Sequence, residues 1–492
     1  MTYVISSAVV GGKSDTSIDD LFVRAEKRLE KPADDAFKKL DQFEQKIFKD
    51  IDQIKAAHSA VSSTDDDQQG SFFHEMVKKS DHFMLHFPTV DNRIKQIAGT
   101  DVSKQLCIAQ QAATTYPIIP LKLSHFMRDF LTHKVEHGTA IEKEIYRNMS
   151  VHDFIDRLLT KRPLMFMMSD DSYLLKSGKK GRGGFELIGT DQERSPLILK
   201  DYLSYDEMQI AALIGVSVPT YFINNGSRNN RGIKSRTDDY EQIGVYVGLV
   251  GARFEKPGYM EWQHIVVTSD RDQQLQSKKD LFRLWSRFYG CQFDLFSKVQ
   301  HDKSGRYIKF THDGADCYFD TLMYKKRMEI PVYLFLKDAH ERGKKDGKKV
   351  YAHVVGLGLG VWQILPEQGQ LLFDTYTEVL HKMQQQEIAY ISDIDFSWFA
   401  SGLNWDGIKN NKQGIKIHVS NRNPADKLVH QNAEKLLVAQ YAWDGNAYPG
   451  NEYWIKMLTA SGDPAAACCS TIAELQNLEI NPYVSAQHVH YW

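Results

Sequence analysis

The stretch Leu436–Glu452 reads LLVAQYAWDGNAYPGNE, and its reading decides the fold. Leu436–Tyr441 is an apolar run of strand length, as a strand buried in a core would be. The run opens into a loop in which Gly445, Pro449 and Gly450 shape the backbone while Asp444, Asn446, Asn451 and Glu452 supply carboxylates and amides. Charged and amide side chains crowded at the carboxyl end of a core strand are where open α/β sheets bind their ligands. Loops carry polar residues in any case, so an ordinary surface loop is the competing reading. Two carboxylates eight residues apart around a Pro-Gly turn suit acid–base work or stabilisation of an oxocarbenium-like centre.

Outward from this strand, short β-branched and aromatic runs recur at Tyr246–Val250, His264–Thr268, Pro331–Leu336, Val350–Val355, Ile388–Ile391 and Ile415–Val419. Amphipathic stretches such as Gln274–Tyr289, Gln370–Gln386 and Thr471–Gln476 lie among them. Strand and helix in alternation predict an α/β layer architecture with a parallel or mixed sheet over residues 195–492. The first part of the chain differs. Phe37, Leu40, Phe43, Ile47, Ile51 and Ile54 recur at helical spacing, so residues 1–61 read as a helical N-terminal segment. Ser62–Ser71 (SSTDDDQQGS) reads as a polar linker, and residues 72–175 as a helical domain. Lys176–Gly184 (KSGKKGRGG) lacks the GxxxxGK[ST] pattern of a phosphate loop and reads as a solvated hinge.

Four further stretches carry polar chemistry. Tyr351–Trp362 (YAHVVGLGLGVW) ends a strand in Gly356, Gly358 and Gly360, followed by Val361 and Trp362. Alternate glycines let backbone N–H groups approach an anion, although they also mark bulges and tight sheet packing. It is not a dinucleotide-binding fingerprint, because the third glycine comes one residue early and no helix clearly follows. Ser461–Ser470 (SGDPAAACCS) reads as a capped helix start, with Ser461 or Asp463 at the cap and Pro464 in the first turn. The same start, with Gly462 and small alanines, offers N–H groups to a pyrophosphate. Ser420–Asp426 (SNRNPAD) places Asp426 where it either meets an adenine amino group or caps the next element. Tyr246–Trp262 (YVGLVGARFEKPGYMEW) puts Arg253, Glu255 and Glu261 near a strand end, either at the border of the same cleft or in surface ion pairs.

Composition excludes several classes. Of 492 residues 42% are hydrophobic and 25% charged, which is ordinary globular usage. Lys+Arg number 61 against 63 Asp+Glu, so no basic field points to nucleic acid, and no nucleic-acid partner is expected. The longest apolar stretches, Ile210–Ile223 and Ala352–Leu365, are broken by Gly, Pro or Gln and are too short to span a bilayer. A soluble chain without membrane insertion is the expectation. Five cysteines form neither a disulfide framework nor a zinc pattern. His312, Asp313, Asp316, Cys317 and Asp320 lack metal-ligand spacing, so neither metal nor cofactor is expected. His488 and His490 read as solvent-facing tail residues. The start MTYVISSAVVGGKSD has no basic leader, so Sec-type export is not expected.

The strings GLGLGVW, SNRNPAD, AWDGNAYPGNEYW and SGDPAAACCSTIAELQN resemble a domain family found in effector proteins of intracellular bacterial pathogens. That family is similar to macrodomains and poly(ADP-ribose) glycohydrolases, and its relatives look like ADP-ribosylhydrolases that act on modified arginine. The resemblance implies a permuted, macrodomain-like three-layer sandwich with a mixed sheet behind a helical N-terminal region. It implies that Gly356, Gly358 and Gly360 form a diphosphate loop, with Asp426 near the adenine and Asp444–Glu452 around the distal ribose. The GGG-x-QEE signature of the glycohydrolases and the NAAN string of standard macrodomains are absent. Asp444 and Glu452, then Asp463, become the candidate catalytic carboxylates. Gly356, Gly358, Gly360, Val361, Trp362, Asp426, Asn446, Asn451, Ser461 and Gly462 become candidate contacts to ADP-ribose as ligand and product. The implied partner is an ADP-ribosylated host protein, met by a secreted effector in the host cytoplasm. A non-catalytic ADP-ribose reader and a host-protein-binding scaffold are the alternatives.

Overall fold

A central sheet of eight strands organises the chain, and its register follows from strands whose two faces are both apolar. A computed structural model describes residues 66–409 and 411–492. The segment 1–61, with its helical periodicity, lies outside them. Among the described residues the strands are β1 Tyr116–Ile119, β2 Met165–Met167, β3 Ser172–Leu174, β4 Lys180–Gly181, β5 Gly215–Tyr221, β6 Ile243–Leu249 and β7 Val266–Val267. They continue with β8 Tyr307–His312, β9 Ala315–Asp320, β10 Val350–Val354, β11 Ile391–Ser397, β12 Lys416–Ser420, β13 Leu436–Ala442 and β14 His490–Tyr491. The large sheet has the order β12-β11-β10-β13-β6-β5-β1-β14. From β12 to β6 neighbouring strands are parallel, β5 is antiparallel to both β6 and β1, and β14 runs parallel to β1. This is a mixed sheet. β2–β4 and β7–β9 form two small three-stranded sheets.

Alternation along the central strands sorts their side chains into two cores. Val245, Val247 and Leu249 of β6 and Val350, Ala352 and Val354 of β10 join the cluster that contains Met328, Val332 and Phe335 of the helix Thr321–Asp346. On the other face Tyr246, Tyr351, Leu437, Ala439 and Tyr441 pack with Ile108 and Ala112 of the helix Val102–Ala113 and with Ile472 and Leu475. Helices therefore cover the sheet on both sides, and the chain from Gln69 to Trp492 is one compact unit. The 72–175 stretch contributes β1 to this sheet, and β2 and β3 besides its helices.

Several elements differ from the sequence expectation. Pro331–Leu336, read as a strand, lies inside the 26-residue helix Thr321–Asp346. Ile330, Pro331, Val332, Leu334, Phe335 and Leu336 are all buried there, and a run buried at nearly every position carries no clear period that separates helix from strand. Of the polar linker Ser62–Ser71, the part from Asp66 onward belongs to the helix Asp66–Asp81. The basic hinge holds the short strand β4, paired with β3. The tail residue His490 lies in β14 and stacks on Tyr116 at 3.6 Å between ring centroids. No helix of the described residues is long and apolar enough to cross a membrane.

Candidate active site

Three neighbouring parallel strands, β10, β13 and β6, end on the same edge of the sheet, and the loops that follow them meet there. The meeting is close because glycine permits it. A Cβ on Gly251, just past β6, would stand 2.4 Å from the backbone nitrogen of Gly358, and Gly358 itself has φ +74°. A Cβ on Gly445, past β13, would stand 2.5 Å from Val250 Cγ2. The helix Gly462–Cys469 closes the fourth side. Asp463 accepts hydrogen bonds from the backbone N–H of Gly450 at 2.7 Å and of Asp444 at 3.2 Å, and Ser461 Oγ donates to Glu452 at 3.4 Å. Corners at Gly251, Gly358, Gly445 and Ser461, far apart along the chain, thus meet at one edge of the sheet.

Asp444, Glu452 and Asp463 come together at this edge of the sheet. Burial raises the Asp444 carboxyl well above the usual carboxylate range, and repulsion from Glu452 and Glu255 adds to it, against the opposing pull of Arg253 and Asn451. Burial likewise raises Asp463, with Asp444 and Glu452 repelling it and its two backbone donors partly offsetting the shift. Glu452 is raised too, by burial first and then by Glu255, with Ser461 and Arg253 opposing. Like charges at such a site cannot all ionise together, so the cluster retains a proton where isolated carboxylates would not.

Arg253 is the cation that faces this cluster. Its guanidinium lies between the rings of Phe166, 5.0 Å from the centroid, and Trp362, 5.2 Å away. One amino group donates to Glu255 at 2.6 Å, while Nε and Nη1 are buried without partners. Asn446 is buried with both side-chain amide atoms unpartnered. Unpaired buried donors and acceptors are costly to leave unmet, and these are available to a ligand. Asn451 plays another part: its amide pairs with the Phe166 backbone at 2.8 and 3.1 Å and donates to the Asp444 carboxylate. It positions the aromatic wall and the acid.

The other candidates divide. Trp362 is buried under Arg253, whereas Val361 is 80% exposed on the loop's outer lip. Gly356 meets the side chain of Leu359, and Gly360 faces open space, so of the three glycines only Gly358 has a positive φ. Ser461 begins its helix without a side-chain cap, and Gly462 is exposed beside it. Asp463 is not the cap of its own helix, since both oxygens serve the neighbouring loop. Asp426 accepts from the backbone and side-chain nitrogens of Asn423 and bridges to Tyr240. None of these hydrogen bonds reaches the carboxylate cluster. Glu261 forms a buried pair with Arg327 at 2.8 Å, and Arg327 in turn donates to the Val250 and Gly251 carbonyls.

Residues 74–491 match the family model described as ADP-ribosylhydrolase MavL-like. ADP-ribosylarginine hydrolase CG3568 of Drosophila melanogaster is 38% identical over 409 residues, covering 78% of this chain and 79% of that protein. ADP-ribosylarginine hydrolase CG2909 of the same insect is 35% identical over 468 residues, covering 90% and 89%. The chain belongs to the MavL-like ADP-ribosylhydrolase family. It is a hydrolase that removes ADP-ribose, and the loops at the ends of β10, β13 and β6 are the candidate active site of this ADP-ribosylhydrolase. Sequence reading left Arg253 and Glu255 at the border of this site and missed Phe166 and Asp171. Asp171 is buried at φ +52° and accepts from Lys256 and the Tyr205 hydroxyl, while the Met168 N–H donates to Glu255 at 2.6 Å. Together these contacts clamp the Arg253–Lys256 segment to the β2–β3 turn. Its only local signal is the Asp-Asp pair after an apolar run, which any turn carries.

Proposed function

We propose that this ADP-ribosylhydrolase cleaves the N-glycosidic bond between ADP-ribose and an arginine side chain of a modified protein. The observation that carries the reading is the convergence of Asp444, Glu452 and Asp463 with Arg253 between Phe166 and Trp362. Glycosidic cleavage passes through an oxocarbenium-like state, which carboxylates stabilise and for which one of them positions water or moves a proton. Asp444, held protonated by burial and by its acidic neighbours, delivers a proton to the departing guanidine nitrogen. Glu452, half-buried and held by Ser461, orients the water that attacks the anomeric carbon and takes its proton. Asp463 is a positioning residue, because its carboxylate ties Asp444 and Gly450 in place.

The loops around Gly358 and Asn446 would take the diphosphate and ribose of ADP-ribose. A permuted macrodomain-like sandwich fits the mixed sheet covered by helices on both faces. Both relatives are named for ADP-ribosylarginine, which supports arginine as the linkage. The reading of the chain as a secreted effector rests on the sequence resemblance alone; both relatives are insect proteins. The test is incubation with arginine-ADP-ribosylated protein and mass-spectrometric detection of free ADP-ribose. Release by the wild type that is lost in Asp444→Ala and Glu452→Ala, with ADP-ribose binding retained, supports the proposal. Tight binding without release sinks it in favour of a reader.

A further inference from the structure

Lys176–Gly184 (KSGKKGRGG) carries four cations and no carboxylate, and nothing in the proposed reaction uses it. The segment is an ordered hairpin arm. Lys180 and Gly181 of β4 pair with Leu174 and Tyr173 of β3. The turn is closed by the Gly178 N–H on the Leu175 carbonyl and by the Leu175 N–H on the Lys179 carbonyl, each at 2.9 Å. Gly181 passes so close to Tyr173 that any Cβ would collide with the ring. Main-chain bonds therefore fix where the charges stand.

Only half of that charge is matched. Lys176 pairs with Glu479 at 2.9 Å, and Arg182 stands 3.5 Å from Asp170 with both side chains exposed, an arrangement worth little in water. Lys179 and Lys180 are exposed, and neither has an ion-pair partner among the described residues. At its base the hairpin joins the candidate active site. The Gly183 N–H donates to the Asp170 carbonyl at 2.9 Å and to that of Asp171 at 3.3 Å. Both belong to the β2–β3 turn, which the Met168 N–H ties to Glu255, the partner of Arg253. Strand residues rise about 3.3 Å each, so Lys180, three residues before Gly183, lies no more than about 10 Å beyond that turn. An extended peptide leading away from the reacting bond covers such a distance in three or four residues.

We propose that the β3–β4 hairpin is a docking rim for the modified protein, and that it favours substrates with Asp or Glu within a few residues of the ADP-ribosylated side chain. The inference rests on the proposed protein substrate. A nucleic acid or an anionic membrane would need a broad basic field, whereas Lys+Arg number 61 against 63 Asp+Glu over the whole chain. Here the free charge is confined to one short arm beside the catalytic carboxylates.

Two ADP-ribosylated peptides, with glutamate or with lysine flanking the modified arginine, test the rim against free ADP-ribosylarginine as control. Wild type is expected to hydrolyse the glutamate-flanked peptide with kcat/KM about tenfold above the lysine-flanked one, and added salt should close the gap. Lys179→Glu combined with Lys180→Glu should reverse the preference. Hydrolysis of free ADP-ribosylarginine should stay unchanged in that double variant, which also shows that it folds. In the Asp444→Ala background the affinities for the two peptides should follow the wild-type order, so absence of cleavage counts against the arginine linkage and not against the rim. Three results overturn the proposal: equal handling of the two peptides by wild type, a preference that survives charge reversal, or tighter binding of phosphatidylserine vesicles or single-stranded DNA than of the glutamate-flanked peptide.

Discussion

Two acidic clusters stand on the same sheet, and they are built to opposite ends. On β11, Asp393 is fully buried, yet it accepts from His418 at 2.8 Å, from Ser392 at 2.7 Å and from Lys435. Those partners hold its carboxyl well below the usual range although burial pushes the other way. Asp395 beside it accepts from Tyr351 and Ser420 at 2.7 Å each. At the ends of β13 and the 461–463 corner, Asp444 and Asp463 are raised instead, by burial first and then because carboxylates face carboxylates, with Arg253 opposing the shift at Asp444. Burial alone does not set the charge state. The partner inventory decides as well, and the cluster left short of cations is the one proposed to transfer protons.

The comparison can be broken by exchange of roles. The largest expected effect is on rate: Asp444→Ala should lower kcat by about 10³-fold, near 4 kcal/mol of barrier, in an assay of ADP-ribose release. Asp393→Ala should leave kcat near wild type and cost about 2 kcal/mol of stability by denaturant titration, since it strands Lys435 and His418. Equal rate losses from the two variants would erase the distinction. Gly358→Ala should cost about 1–2 kcal/mol, because the residue sits at φ +74° and its Cβ would stand 3.0 Å from the Ala252 carbonyl oxygen. Asp444→Asn should raise stability by about 1 kcal/mol at neutral pH while abolishing activity, the pattern of a group kept for function.

The smallest effects are in pH dependence, and they have opposite signs. The folded state binds the Asp444 proton more tightly than the unfolded chain does. That contribution is present at low pH and is lost as pH rises from the ordinary carboxylate range through the raised value. The stability advantage of Asp444→Asn should therefore grow with pH. Asp393 binds its proton less tightly when folded. Its contribution is present above the ordinary range and lost as pH falls, so the deficit of Asp393→Asn should shrink in acid. Slopes of the same sign in paired urea titrations across pH would contradict the assignment.

The strands that build the site were legible because each is a short apolar run closed by Gly or a polar turn: Val350–Val354 before Gly356, and Leu436–Ala442 before Asp444 and Gly445. Their side-by-side order, β10-β13-β6, was not, since it comes from pairings across the chain that no local pattern records. Asp444, Glu452 and Asp463 were readable as carboxylates on shaped loops. The Asp463 cap reading failed because a carboxylate in the first turn looks the same whether it serves its own helix or a neighbouring loop. Asn451 and Asn446 sit in one loop with one chemistry, yet one amide is consumed by Phe166 and Asp444 and the other is unpaired. Only the fold separates them.

The back-to-back passage of Gly251 and Gly358 has a mechanical consequence. Two main chains that touch without side chains between them leave no slack, so neither loop can swing without carrying the other. The wall bearing Arg253 and the wall bearing Trp362 therefore behave as one rigid jaw, set before any nucleotide arrives. Little ordering entropy remains to be lost on capture.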